Sequence, residues 1–235
     1  VPEQQSQLTS AEWTTELRIG DLDQSKPFGA RRFAPLQLTK FAKVSRTLLR
    51  RGGRFADEVI MQALAEAIAL PIELAAIQGN GAGRPLGLLE TPDLPSTTTT
   101  TPGTLVIADV KRWIGGLAGR WHTGATALMH VDTFNGMLQI DTNGALFQNG
   151  MLLGKYPIEL SDQFPSAGDN PTSLTSGTVI AVIGDFSRYW IIDAFMSVHV
   201  LAELFAETNE LGYLARCEVD GQCVTSAAFN ALVVG

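Results

Sequence analysis

Two cysteines and three histidines in 235 residues leave little material for metal or redox chemistry. A zinc site needs four protein ligands, or three and a water. His122, His130 and His199 are scattered, and His130 with Asp132 supplies two ligands at most. Cys217 and Cys223 read as reduced core thiols. They flank Asp220-Gly221, which reads as a hairpin turn and sets the two cysteines diagonal rather than opposed. There is no Gly-x-Ser-x-Gly elbow and no His-Glu-x-x-His pair, so neither hydrolase signature is present. Glu203, Glu207 and Glu210 are the nearest approach to an acid/base set, and such a run reads as a solvated face. Charge is scarce too: 17% charged against 45% apolar residues excludes a disordered chain. No uninterrupted apolar run reaches the ~18 residues of a spanning helix, so a membrane protein is not expected. The start at Val1, without Met, Arg-rich leader or apolar signal core, reads as a processed end.

What is present is an uneven distribution of charge. Residues 1–25 hold five acids and Arg18, a net of −4. Residues 26–56 hold nine bases and no acid, and residues 57–235 hold seven bases and nineteen acids, nets of +9 and −12 that bring the whole to −7. A basic segment on an acidic body fits nucleic acid or the acidic body of a neighbouring copy. Its interleaved Phe28, Phe33, Leu36, Leu38, Phe41 and Val44 favour self-association over a simple polyelectrolyte tail. Trp113, Trp121, Trp190 and Phe186 form no basic–aromatic stripe of the kind that stacks single-stranded bases.

Local patterns predict an α+β chain. Trp13–Ile19 and Arg31–Val44 read as the strands of a long hairpin, too marginal to stand alone in water and therefore expected to lie on another subunit. Ser45 is placed to cap a short turn that Gly52-Gly53 breaks. Apolar residues from Val59 to Ala75 then recur at helical spacing, predicting a helix over 57–78 with Pro71 inside it and Gly79 ending it. The glycine-rich 79–87 stretch follows a helix rather than opening one, so it reads as a tight turn and not a phosphate loop. Residues 90–104, with five consecutive threonines, read as a connector. Helices are expected over 107–117 and 132–138. Strands are expected over 126–130, 145–147, 155–160, 178–183, 188–193, 196–201, 211–219 and 223–234, with a further hairpin turn at Gly184-Asp185.

The order of these parts resembles the major capsid protein of tailed double-stranded DNA bacteriophages, the Hong Kong 97-type fold. The resemblance is carried by Phe41-Ala-Lys-Val-Ser-Arg-Thr-Leu-Leu, the long helix, Gln78-Gly-Asn-Gly-Ala-Gly-Arg-Pro-Leu-Gly, His130-Val-Asp-Thr-Phe-Asn with Asp141-Thr-Asn-Gly, Leu153-Gly-Lys-Tyr-Pro-Ile, Ile183-Gly-Asp-Phe-Ser-Arg-Tyr-Trp and Arg216-Cys-Glu-Val-Asp-Gly. It implies an N-terminal arm (1–10), an extended loop (11–44), a peripheral domain with a spine helix (45–104 and 181–235) and an axial domain (105–180). It implies pentamers and hexamers of an icosahedral shell around packaged DNA, held only non-specifically, in a virion assembled in the host bacterial cytoplasm. Portal, scaffolding and decoration proteins are further partners; no enzyme activity, cofactor, metal or membrane is implied. The loop residues expected to touch a neighbour are Trp13, Lys26, Phe28, Arg31, Arg32 and Phe33. An encapsulin-like compartment around a cargo enzyme has the same fold and is the alternative. Some relatives crosslink a loop Lys to an Asn with help from a Glu. Lys26 and Asn209 match loosely, but Arg216 stands where the Glu is expected, and without a base the lysine stays protonated, so no crosslink is expected.

Overall fold

The computed structural model describes residues 2–4, 28–141, 143–205 and 207–235, with the backbone alone for 2–4 and 28–30. It divides into two units, Val1–Ala34 and Pro35–Gly235. In the first, β1 (Pro2–Gln4) pairs antiparallel with β2 (Phe28–Ala30), Glu3 opposite Gly29. The predicted strand Trp13–Ile19 lies outside the described residues.

The second unit runs β3 (Leu36–Ser45), α1 (Arg46–Gln78), β4 (Ser96–Thr98), α2 (Ile107–Gly115), β5 (Thr126–Met129), α3 (Val131–Ile140), β6 (Phe147–Gln148), β7 (Met151–Leu152), β8 (Ile158–Leu160), β9 (Val179–Gly184), β10 (Tyr189–Leu201), β11 (Glu210–Cys223) and β12 (Phe229–Val233). β11 is the middle strand of an antiparallel sheet ordered β10-β11-β3. Tyr213, Ala215, Cys217 and Val219 are buried at every second position of β11, and they pack with Leu64 and Ile68 of α1. A period of two on the strand thus meets residues four apart on the helix. Arg31–Val44 was expected to be wholly loop hairpin; Leu36–Ser45 instead pairs with Val219–Glu210 of its own chain. Its half-buried Leu36, Leu38, Ala42 and Val44 alternate as sheet residues do, so the alternation was legible and the partner was not.

Helix α1 begins where Ser45 accepts a hydrogen bond from the Thr47 amide at 3.2 Å. Gly53, at φ 55° and ψ −144°, breaks it into two segments. That conformation is nearly exclusive to glycine, so the expected break is present although the helix resumes at once. Gly79 ends it, its amide bonded to the Ala75 carbonyl at 2.9 Å. One expectation is corrected here. An 18-residue window of α1 has a mean hydropathy of 1.7, enough by length and composition to cross a membrane, although only 22% of that window is buried. Glu66 and Glu73 interrupt the apolar run without making the segment polar. In this structure α1 lies along the sheet.

The other sheet is ordered β4-β12-β9-β5-β8. With α2 and α3 it encloses the largest core, in which Val110, Trp113, Met129, Met137, Ile180 and Ile183 are almost wholly buried. A second cluster around Ile77, Phe164, Val182 and Phe229 joins the end of α1 to this sheet. The five-threonine segment is no free connector: β4 pairs in parallel with β12. Beyond it, Thr100 donates through both its amide and its hydroxyl to the buried carboxylate of Asp109. The boundary drawn at 180 falls inside β9, and the one at 104 lies between β4 of the sheet and α2 packed beside it.

Asp220-Gly221 is also no turn. Both lie inside β11, opposite Ile192 and Ile191. A Cβ on Gly221 would come within 2.8 Å of the Tyr189 hydroxyl, so the glycine admits an aromatic ring rather than bending the chain. Cys217 and Cys223 therefore lie on one strand, buried in separate clusters. The 188–193 and 196–201 segments merge into β10 across an irregularity between Asp193 and Phe195.

Candidate assembly surface

Several of the groups weighed for catalysis are engaged in local structure. The Asp132 amide donates to His130 Nδ1 at 3.0 Å, so the imidazole caps α3. The Asp132 carboxylate accepts from the Ser166 hydroxyl at 2.6 Å. His122 bridges the Tyr156 hydroxyl at 2.7 Å and the Leu117 carbonyl at 2.9 Å. His199 lies in β10, its ring 3.2 Å from the Ser197 hydroxyl. Glu203 and Glu207 are exposed in the turn between β10 and β11, and the carboxylate of Glu210 accepts from the Thr208 hydroxyl. Among the described residues no group of three metal-binding side chains occurs. Trp113 is buried, its indole N–H donated to the Asn230 carbonyl at 2.8 Å. One aromatic–cation arrangement escaped the sequence: Trp121 lies beneath both Arg120 and Arg188, at 5.2 and 5.1 Å.

Of the six loop residues named from sequence, Trp13 and Lys26 lie outside the described residues. Phe28 opens β2, and its backbone alone is described. Arg31 and Phe33 are half-buried and Arg32 is exposed; both arginines already have partners.

The surface that stands out was not named from sequence. On α1, Phe55, Leu48, Val59 and Leu70 point outward, and on β10 Met196, Val198 and Val200 do the same. Residues of β10 that oppose the buried Cys217, Ala215 and Tyr213 of β11 share their face of the sheet, but they are 39–57% exposed because α1 covers β11 rather than β10. A cavity of about 200 Å³ opens beside Leu36, Leu38, Pro71, Leu74 and Ala75, with Arg84 at its wall. Runs of exposed apolar side chains on two neighbouring elements mark a surface made to be covered by protein.

Structures with the same fold supply the context. The capsid of the native GTA particle, computed with C5 symmetry, superposes at a TM-score of 0.78 and 18% identity, covering 100% of this chain and 84% of that one. A structure from Gordonia phage Cozz matches at 0.66 and 14%, covering 100% and 80%. The holo-SrpI encapsulin complex from Synechococcus elongatus matches at 0.61 and 13%, covering 85% and 73%. These identities speak for the fold, a mixed helix-and-sheet architecture of the Hong Kong 97 type. No curated protein matches in sequence. The model of the phage capsid family, however, matches residues 1–234, and the chain belongs to that family.

Proposed function

We propose that this chain is the major capsid subunit of a tailed bacteriophage, assembling into the pentamers and hexamers of an icosahedral shell around packaged double-stranded DNA. The observation that carries it is the family match over residues 1–234. The outward apolar side chains of α1 and β10, which a lone chain leaves in water, support it. The protein acts through contacts between copies rather than through chemistry at a site. Within the subunit, α1 with the β10-β11-β3 sheet corresponds to the peripheral domain. The α2, α3 and β5 region corresponds to the axial domain near the symmetry axes.

Arg31, Arg32 and Phe33, together with Trp13, Lys26 and Phe28, form the loop that reaches a neighbouring copy. Cationic and aromatic groups there meet an acidic body, giving orientation through charge and affinity through burial. Assembly takes place in the host cytoplasm, with portal and scaffolding proteins as further partners. Bound DNA makes only sequence-independent contacts, weakened by the net −12 of residues 57–235.

Electron microscopy and sedimentation of the purified chain test the reading: closed shells or capsomers are expected, and monomers in every buffer would refute it. DNA beside a portal ring inside the native particle is the expected content, whereas an enclosed enzyme would assign the shell to the encapsulin type. The double substitution Arg31→Glu with Arg32→Glu tests the loop, with reduced particle yield expected and unchanged yield counting against its electrostatic role.

A further inference from the structure

Beside the last turns of α1, four pieces of one chain enclose the cavity of about 200 Å³. Its apolar wall is made by Leu36 and Leu38 of β3, Ile72, Leu74 and Ala75 of α1, and Val219 of β11. Local geometry brings these side chains together. Leu36 and Leu38 are alternate residues of a strand at the sheet edge, so both lie on one face. Leu36 stands opposite Val219 in the register. Pro71, which has no N–H to give the Ala67 carbonyl, adds its ring to the same wall.

One charged residue stands at this wall: Arg84, in the loop between α1 and β4. The loop is shaped to hold it there. Gly81 and Gly83 take φ of 73° and 71°, in the left-handed region. The Asn80 side-chain oxygen accepts from the Ala82 amide at 3.2 Å and from Arg84 Nε at 3.1 Å. Among the described residues Arg84 makes no ion pair and no other hydrogen bond, so its two Nη groups are uncommitted. No acid lines the cavity among the described residues. Glu73, next to Ile72 and Leu74, accepts instead from the Ser161 hydroxyl at 2.5 Å. Glu218 and Asp220 flank Val219 and so take the other face of β11. The cavity is therefore apolar with a single positive pole.

We propose that this cavity binds a small hydrophobic carboxylate, its hydrocarbon between β3, α1 and Val219 and its carboxylate on the Nη groups of Arg84. Size sets the class of ligand. An apolar cavity of about 150 Å³ is enough to hold benzene, so the volume here takes one six-membered ring or branched chain with a single polar substituent. Charge sets the substituent, because a guanidinium matches the planar carboxylate and repels a cation. Most of the affinity comes from the hydrocarbon, since an ion pair to an exposed arginine is worth little. A nucleic acid fits poorly, with one positive charge to meet and an apolar wall it cannot use. A protein face fits poorly as well, because four segments of one chain leave room for one small group and not for a strand or helix. The bound acid joins α1, β3, β11 and the 79–87 loop to one another. The site lies within a single copy and does not depend on the shell reading.

Calorimetric titration of the full-length chain with cyclohexanecarboxylate tests the site. Saturable binding is expected, with a dissociation constant on the order of 1 mM or below. Cyclohexylmethanol, of the same shape without the charge, is expected to bind roughly five-fold more weakly. Cyclohexylmethylammonium and acetate are expected to show no saturation, the first for its charge and the second for want of hydrocarbon. Arg84→Met keeps an alkyl stem at the wall and is expected to abolish the preference for the acid while the alcohol binds as before. Leu36→Trp fills the space and is expected to lose both ligands. Thermal melts that match the parent show that each variant is folded, and where Leu36→Trp melts early, Arg84→Met decides alone. Absence of saturation by the carboxylate overturns the proposal, as does equal affinity for the acid, the alcohol and the ammonium. So does a preference for the acid that survives Arg84→Met, or binding that survives in folded Leu36→Trp. Binding to dissociated chains that vanishes in intact particles overturns it in favour of a neighbouring copy as the occupant.

Discussion

At the residue scale, buried polar groups hold the core in register. Asn230 is 2% exposed. Its amide donates to the Trp113 carbonyl at 2.6 Å and to the Thr97 hydroxyl at 3.1 Å, while its own carbonyl accepts the Trp113 indole. Asn230→Ala leaves a buried carbonyl and hydroxyl without that donor, and should cost about 1–3 kcal/mol in urea unfolding. Trp113→Ala should cost about 3–5 kcal/mol, since the indole fills a fully enclosed space. Burial, then the charges of Asp220 and Cys223, push the Tyr189 phenol well above its ordinary value of 10.0. Burial and then Asp57 push Tyr213 up. A raised phenol favours the fold while it stays protonated. That contribution is therefore complete below about pH 10 and is lost as pH climbs through the folded-state value. The urea midpoint should fall across this alkaline range, and more shallowly in the Y189F/Y213F double variant; an unchanged slope would dismiss the two tyrosines as its source.

Elements were legible in proportion to how local their cause is. The Ser45 cap, the Gly53 break, the Gly79 stop, α2, β5 and α3 all follow from side-chain–backbone bonds or periodicities within a few residues. Asp220-Gly221 misled because a hairpin dipeptide and a glycine making room for Tyr189 look alike in one dimension. The five threonines misled because their polarity suits a loop until β12 offers a strand to pair with. At Gly53 the cause is purely conformational, which makes it testable. Gly53→Ala forces a side chain into a positive-φ region and should lose about 1–3 kcal/mol or straighten α1. Thermal melting, with helix content followed by circular dichroism, distinguishes the two from no effect.

For the whole molecule, the distribution of exposed surface matters more than any single residue. The outer faces of α1 and β10 carry apolar side chains left exposed in one copy, as expected of a subunit stabilised by its neighbours. The family's covalent option is not expected here. Asn209 lies in the turn between β10 and β11 at φ 55°, and exposed Arg216 sits in the middle of β11 opposite Ser197, a cation where a helping acid would be needed. Assembled particles boiled in detergent should run as a single band at monomer mass, and a ladder of covalent multimers would reject this. Particles should also dissociate more readily at high ionic strength, because exposed charge pairs across subunits are screened within about 10 Å at 0.1 M salt.

The sequence by itself determined the α+β class, the long broken helix, the absence of a recognisable catalytic or metal-binding signature, and an order of motifs specific enough to point to the capsid fold. These depend on local periodicity, capping and composition, which one chain carries in linear form. Tertiary structure decided which strand Leu36–Ser45 joins, that the threonine run completes a sheet, and that Leu36, Ala75 and Val219 line one cavity. Those outcomes depend on pairings between distant segments, whose free energy lies in mutual burial and therefore leaves no mark on either segment alone.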